Sequence, residues 1–398
     1  MPNTHAAPED AANTRLNLPP ILFVGATFSM SMMAFTALIG PISRELGVST
    51  WQAGAAVTVS GVLWMALAPY WGRRSDRVGR RAVLLACMAG CAISYALMCV
   101  FMEWALHIVP AAIVSFLGMM IGRGAMGAFY AGVPPTTFAM IADHLPAEKR
   151  AGAMAAFGAA NASGMAIGPA AAGLLAQISL TLPLFVTALL PLAALALAWR
   201  VLPRDTAHAA TAPQRVRFND TRLLRPMATA FCAMFAVSVA QIVVGFFALD
   251  RLGLDAGAAA QAAGLALTSV GVALIGAQML VGRVRWSPRM FIRAGCAIGA
   301  IGFLGVALTH GVATLCAAYF VAAFGMGWVF PSFSALAANS VEPHEQGAAA
   351  GSVAAAQGFG MVVGPFVGAL VYGVGPTAPY ILAGALLIAC GAWPTRKR

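Results

Sequence analysis

Gly72-Arg73-Arg74-Ser75-Asp76-Arg77-Val78-Gly79-Arg80-Arg81 sets five arginines and one aspartate within ten residues. The flanking stretches, near 52–72 and 80–101, are apolar and each about as long as a helix needs to cross a bilayer core, ~20 residues. A basic run between two such stretches reads as a loop joining two membrane spans, on the side that retains positive charge. Outward from it the same alternation continues. Further apolar stretches lie near 20–43, 108–141, 151–177 and 181–200, and then near 226–249, 258–282, 290–309, 312–338, 347–373 and 376–394.

The composition agrees. Of 398 residues, 60% are hydrophobic and 9% charged, whereas soluble domains carry about 25% charged residues. The net charge of +11 does not indicate a nucleic-acid partner, because the basic residues fall in short runs between apolar stretches. If the N-terminus is cytoplasmic, 21 of the 24 basic residues lie on the cytoplasmic side; Arg44 and Arg251 lie opposite and Arg123 lies within a span. That bias predicts a multi-pass inner-membrane protein with both termini in the cytoplasm. Trp51, Trp71, Trp104, Trp199, Trp286 and Trp393 fall at span ends, as an interfacial belt requires. The polar first sixteen residues lack the basic region and apolar core of a cleavable signal peptide, so the first span is expected to direct insertion.

The expected fold is therefore an all-α membrane protein of twelve transmembrane helices in two pseudo-symmetric six-helix bundles. Residues 1–19 form a cytoplasmic tail, 20–200 the first bundle, 201–225 a polar cytoplasmic linker, 226–394 the second bundle and 395–398 a short tail. A shift of 196 residues supports the pseudo-symmetry: Pro135 lands on Pro331, Gly164 on Gly360, Met165 on Met361, and Gly168-Pro169 on Gly364-Pro365. Internal duplication with a substrate site between the repeats is a signature of secondary transporters. Enzymatic and ATP-driven alternatives find no support. With only Lys149 and Lys397 present there is no phosphate-binding GxxxxGK[ST] loop, and the six histidines form no HExxH site. Neither cofactor nor metal is expected. The seven cysteines lie in apolar stretches without ligand spacing and read as packing residues.

The opening loop could be merely a basic turn, but that leaves Asp76 among the arginines unexplained. The loop carries in full the pattern G-x-x-x-D-R-x-G-R-[KR], and here the chain resembles the major facilitator superfamily, most of all its twelve-span drug and metabolite:proton antiporters. The resemblance implies a conformational latch of Gly72, Asp76, Arg77, Gly79, Arg80 and Arg81. In it the arginines pair with Asp143 at the foot of span four, and Asp76 faces the positive end of span eleven near His344-Glu345-Gln346-Gly347. The second-half counterpart, residues 282–289, has no acid, so the latch is one-sided.

Arg123 lies inside an apolar stretch, where a lone cation costs at least ~2.5–3.5 kcal/mol. Two readings are open: an arginine that snorkels or bonds backbone carbonyls, or one that faces a central cavity. Intramembrane charge favours the second by default, and Arg123 with Gly127 resembles the family's R-x-x-x-G motif, which implies a role in proton coupling. Gly164, Gly168, Pro169 and Gly173 can be small-residue packing or the family's antiporter-type motif, which is associated with export. Candidate cavity residues are Phe35, Tyr130, Asn161, Gln241, Trp328 and Gln357, each equally a candidate for packing. Span one holds no acid between Asn17 and Arg44, which disfavours cationic cargo and suits a neutral or anionic one. The expectation is a monomeric secondary transporter in the lipid bilayer, exchanging protons for a small molecule in export. The cargo would be a drug or an endogenous metabolite, a siderophore among the options. An importer or facilitator of a small organic anion is the alternative.

Overall fold

The computed structural model describes residues 17–203, 220–281, 283–284, 286–342 and 345–393. The two tails, most of the linker and His344 lie outside the described residues. The described chain is helical: α1 Leu18–Glu45, α2 Thr50–Val78, α3 Arg80–Ile108, α4 Ala112–Tyr130, α5 Val133–His144, α6 Ala147–Leu175 and α7 Leu182–Val201 make the first half. The second half is α8 Leu224–Asp250, α9 Ala256–Val281, α10 Pro288–Val306, α11 Val312–Ala338, α12 Gln346–Tyr372 and α13 Ala378–Gly391. Helices satisfy every backbone donor and acceptor within the segment, as hydrocarbon surroundings demand. Ten spans, with α4 and α5 counted as one, are long and apolar enough to cross a membrane. The Ala/Gly-rich α6 and the 14-residue α13 complete the pairing of the halves. The outer surface is apolar: Ile121, Leu189, Ile301 and Leu308 are each more than 60% exposed, a surface fit for lipid rather than water.

Span four departs from the expected single helix over 108–141. It breaks between Tyr130 and Val133 because Pro134 and Pro135 open α5, and a proline inside a helix forfeits a backbone bond. Pro331, its repeat mate, stands alone and α11 runs on through it. Local signals set other ends. Pro19 and Pro20 occupy the first turn of α1, and a Ser49–Gln52 capping box starts α2. Gly79 serves at once as the last cap of α2 and the first of α3, at φ 106 and ψ 144. Only glycine takes that conformation without strain, so the tight joint is specified by one residue.

The repeat is visible in packing. Added Cβ atoms at Gly164 and Gly168 of α6 would collide with the carbonyl oxygens of Ala26 and Met30 on α1. In the second half, Gly360 and Gly364 of α12 press in the same way on Phe231 and Ser238 of α8. Each of these proline-bearing helices also touches the other half. The Pro169 carbonyl sits against Gly264 of α9, and the Pro365 carbonyl against Gly54 of α2, 2.6 Å from where a Cβ would be.

These contacts between halves lie toward one end of the bundle, the one with the α1–α2 and α8–α9 connections. There Gly40 of α1 meets the backbone of Gly245 and Phe246, and Thr58 donates to the Val362 carbonyl at 3.0 Å. At the other end, which carries the arginine-rich loop, Gly152 and Gly158 of α6, Gly276 of α9 and Gly351 of α12 meet nothing within 4 Å. Among the described residues, these contacts join the halves at the far end.

Candidate functional site

Between the halves lie two adjoining chambers. The first, about 180 Å³, is lined by α1, α2, α4, α6, α8 and α12, including Ser29, Ser60, Trp64, Arg123, Tyr130 and Gln241. The second, about 330 Å³, is bounded mainly by α6, α8, α9 and α11 and is almost wholly apolar. Met33, Met165, Gln241 and Met361 line both, so the chambers share a wall. Unbranched, polarizable methionine side chains adapt to ligands of different outline.

Arg123 is the one charged residue among those lining the two chambers. It is 3% exposed, and its Nε and Nη1 atoms are buried with no hydrogen-bond partner. Its guanidinium carbon stands 5.1 Å from the centre of the Phe35 ring. Such a contact returns only about 0.5–2 kcal/mol of what burying the charge costs. The carbonyl-bonded reading would have these donors occupied, and they are not. Tyr319, the residue 196 positions on, lines the second chamber and is spent within its own half, donating to the Ala240 carbonyl and bonding the Tyr380 hydroxyl, each at 2.8 Å.

The other sequence candidates are distributed unevenly. Tyr130 and Gln241 line the first chamber. Phe35 is fully buried beneath Arg123 and acts through it. Asn161 accepts a 2.5 Å hydrogen bond from Ser29, a lining residue, and so stands behind the wall. Trp328 is a correction: its indole donates to the Ala277 carbonyl at 3.1 Å, and its ring packs with Trp286, Phe291 and Phe324. Gln357 is not among the residues lining either chamber. Sequence reasoning passed over Ser29, Ser60, Trp64 and Ser238, whose helix face no composition signal reveals.

In the arginine-rich loop, Arg80 bridges Asp76 and Asp143, the latter at 2.9 Å, and also donates to Ser75 Oγ. Arg81 donates to the Trp199 and Leu202 carbonyls at the C-terminal end of α7, where a cation offsets the helix dipole. Arg77 is exposed and Gly72 half-buried. The described contact of Asp76 is with Arg80, within the first half, and the segment near His344 that it is expected to face lies partly outside the described residues. The foot of α12 is held elsewhere: Glu345 takes Arg222 at 2.9 Å, and Arg222 also grips Asp220, whose carboxyl it holds below the usual range.

A pair that the sequence did not suggest closes the far end. Arg44 of α1 meets Asp250 of α8 at 2.5 Å, and the Tyr372 hydroxyl of α12 donates to the same carboxylate at 2.9 Å. One acid therefore ties together three helices from the two halves.

Comparison with known proteins agrees with this architecture. The class C tetracycline resistance protein of Escherichia coli is 28% identical over 369 residues, covering 85% of this chain and 87% of that protein. The class G tetracycline resistance protein of Vibrio anguillarum is 28% identical over 365 residues, with 87% of each covered. Among solved structures, the human organic anion transporter MFSD10 (TETRAN) superposes with a TM-score of 0.63 at 20% identity, over 97% of this chain and 99% of that one. A bacterial homologue of the lysosomal transporter Spinster, solved inward-facing and unoccupied, gives 0.69 at 14% identity over 97% and 95%. The sequence matches the Major Facilitator Superfamily over residues 21–260 and 227–396, so with two packed halves and a shared central cavity the chain belongs to that superfamily, as a multi-pass transporter rather than an enzyme.

Proposed function

We propose that the protein exports a small, largely apolar molecule that is neutral or anionic, in exchange for protons. The observation that carries this is the cavity itself: apolar, methionine-walled, and charged only by a buried arginine with two unused donors. A cationic cargo would meet an uncompensated like charge in a poorly solvated space, whereas an anionic or carbonyl-bearing one would supply the missing acceptor. The relatives named as tetracycline resistance proteins support efflux. The positive-inside bias supports a cytoplasmic basic end, opposite the contacts that join the halves, and so supports loading of the cavity from within. Transport then follows by rocking of the halves about the cavity.

Everted membrane vesicles test the direction. An acid interior should drive accumulation of an exported compound, and collapsing the gradient should stop it; uptake unaffected by the gradient, or driven the opposite way, overturns the reading. Asp76→Asn should cripple transport. The Asp76–Arg80 pair is partly exposed and such pairs contribute ~1 kcal/mol or less, so insertion and thermal stability should barely move. Transport at the unmodified rate in that variant would show that the loop is only a basic turn.

A further inference from the structure

The second half repeats the arginine-rich loop without its acid, and the structure shows what this leaves behind. In the first half, Arg80 at the start of α3 is neutralised by Asp76 and Asp143. At the corresponding start of α10 stand Arg289 and Arg293, one turn apart and exposed. Both lie near enough for their charges to act on Arg225, in the first turn of α8, and no carboxylate is among the groups acting on it. Arg225 is half-buried, and its Nε and Nη2 atoms are shut from solvent with no hydrogen-bond partner. Like charges gathered around buried, unused donors call for an anion that the described residues do not provide.

We propose that Arg225, Arg289 and Arg293 form a binding site for one phosphate group, presented by a phospholipid of the surrounding leaflet. The surroundings favour a lipid. Trp286, three residues before Arg289, and Trp393, just beyond the end of α13, are 42% and 37% exposed, as suits indoles that anchor at headgroup level. Met290, between Arg289 and Arg293 on α10, and Ile388, in the last turn of α13, are about half exposed, giving outward apolar surface for acyl chains. The closeness of α10 and α13 is fixed by Gly391, where a Cβ would lie 3.1 Å from Cys296. Basic pockets between spans on the cytoplasmic side are suited to acidic headgroups. The site lies away from the central cavity and does not depend on which cargo the cavity takes.

Native mass spectrometry of the full chain in detergent tests this, with phosphatidylglycerol, phosphatidylcholine or sodium phosphate added. One phosphatidylglycerol should stay bound at activation that strips phosphatidylcholine. Arg225→Gln should weaken it about tenfold, the worth of a charge-assisted hydrogen bond. The double variant Arg289→Gln/Arg293→Gln changes only exposed side chains, so it should fold normally and weaken binding as well. Arg251→Gln at the far end should leave it intact. Retention of sodium phosphate but not of the lipid, still dependent on Arg225, upholds the anion site and identifies free phosphate as its source. Binding of neither that depends on these arginines, or equal loss in Arg251→Gln, overturns the proposal.

Discussion

Replacing Arg123 with alanine abolishes gradient-driven transport while leaving the protein as stable as before or slightly more so. The two halves of that expectation rest on the same fact. A cation in the middle of a span costs at least ~2.5–3.5 kcal/mol, and the Phe35 ring returns about 0.5–2 kcal/mol. With Nε and Nη1 unpaired, the protein recovers nothing further from this side chain. A cargo acceptor would recover it: a hydrogen bond to a charged group contributes about 1.5–3 kcal/mol, or roughly 10- to 150-fold in affinity. Vesicle transport and thermal unfolding, measured on the same preparations, separate the alternatives. A marked fall in melting temperature with binding unchanged would make Arg123 a structural residue. Arg123→Lys, which keeps the charge but not the planar fork, should restore only part of the activity.

Substituting Gly40 by valine should also abolish transport, for a mechanical reason. A Cβ at Gly40 would lie 2.7 Å from the carbonyl carbon of Gly245 and the amide nitrogen of Phe246. Those are backbone atoms of the opposite half and cannot step aside by changing rotamer. Overpacking of this kind costs about 1–3 kcal/mol, which shifts a two-state equilibrium by roughly 5- to 150-fold away from far-end closure. Spin labels across the far end, placed in a cysteine-free background, should report a longer separation than in the unmodified protein. Asp250→Asn removes the charge from the Arg44 pair at the same junction without adding bulk. Because Arg44 and Asp250 are both partly exposed, its effect should be under ~1 kcal/mol. If Asp250→Asn opens the far end more than Gly40→Val does, closure is electrostatic rather than steric.

What is legible in the sequence and what is not divide along a physical line. Span number and halves were legible because hydropathy over ~20 residues is a local property. The pairing of Arg80 with Asp143 was implied by the resemblance that the 72–81 motif carries, and the two meet at 2.9 Å. Which way a mid-span side chain points was not legible, since that depends on the rotation of each helix against its neighbours. Trp328 looked as suitable for the cavity as Gln241, yet its ring is taken up by Trp286, Phe291 and Phe324. The Arg44–Asp250 junction joins residues 206 apart in sequence, and neither carries a signal naming the other. The break in span four did have a signal, Pro134-Pro135, which the apolar run concealed.

The placing of two neighbouring residues on α6, and of two more on α12, bears on how such a protein changes over generations. Gly164 and Gly360 press backbone against backbone inside each half, while Met165 and Met361, the very next residues, face the cavity. Machinery and taste are thus encoded side by side yet on different faces. Selection for a different cargo can rewrite the methionines one codon at a time, and the packed glycines are inherited untouched.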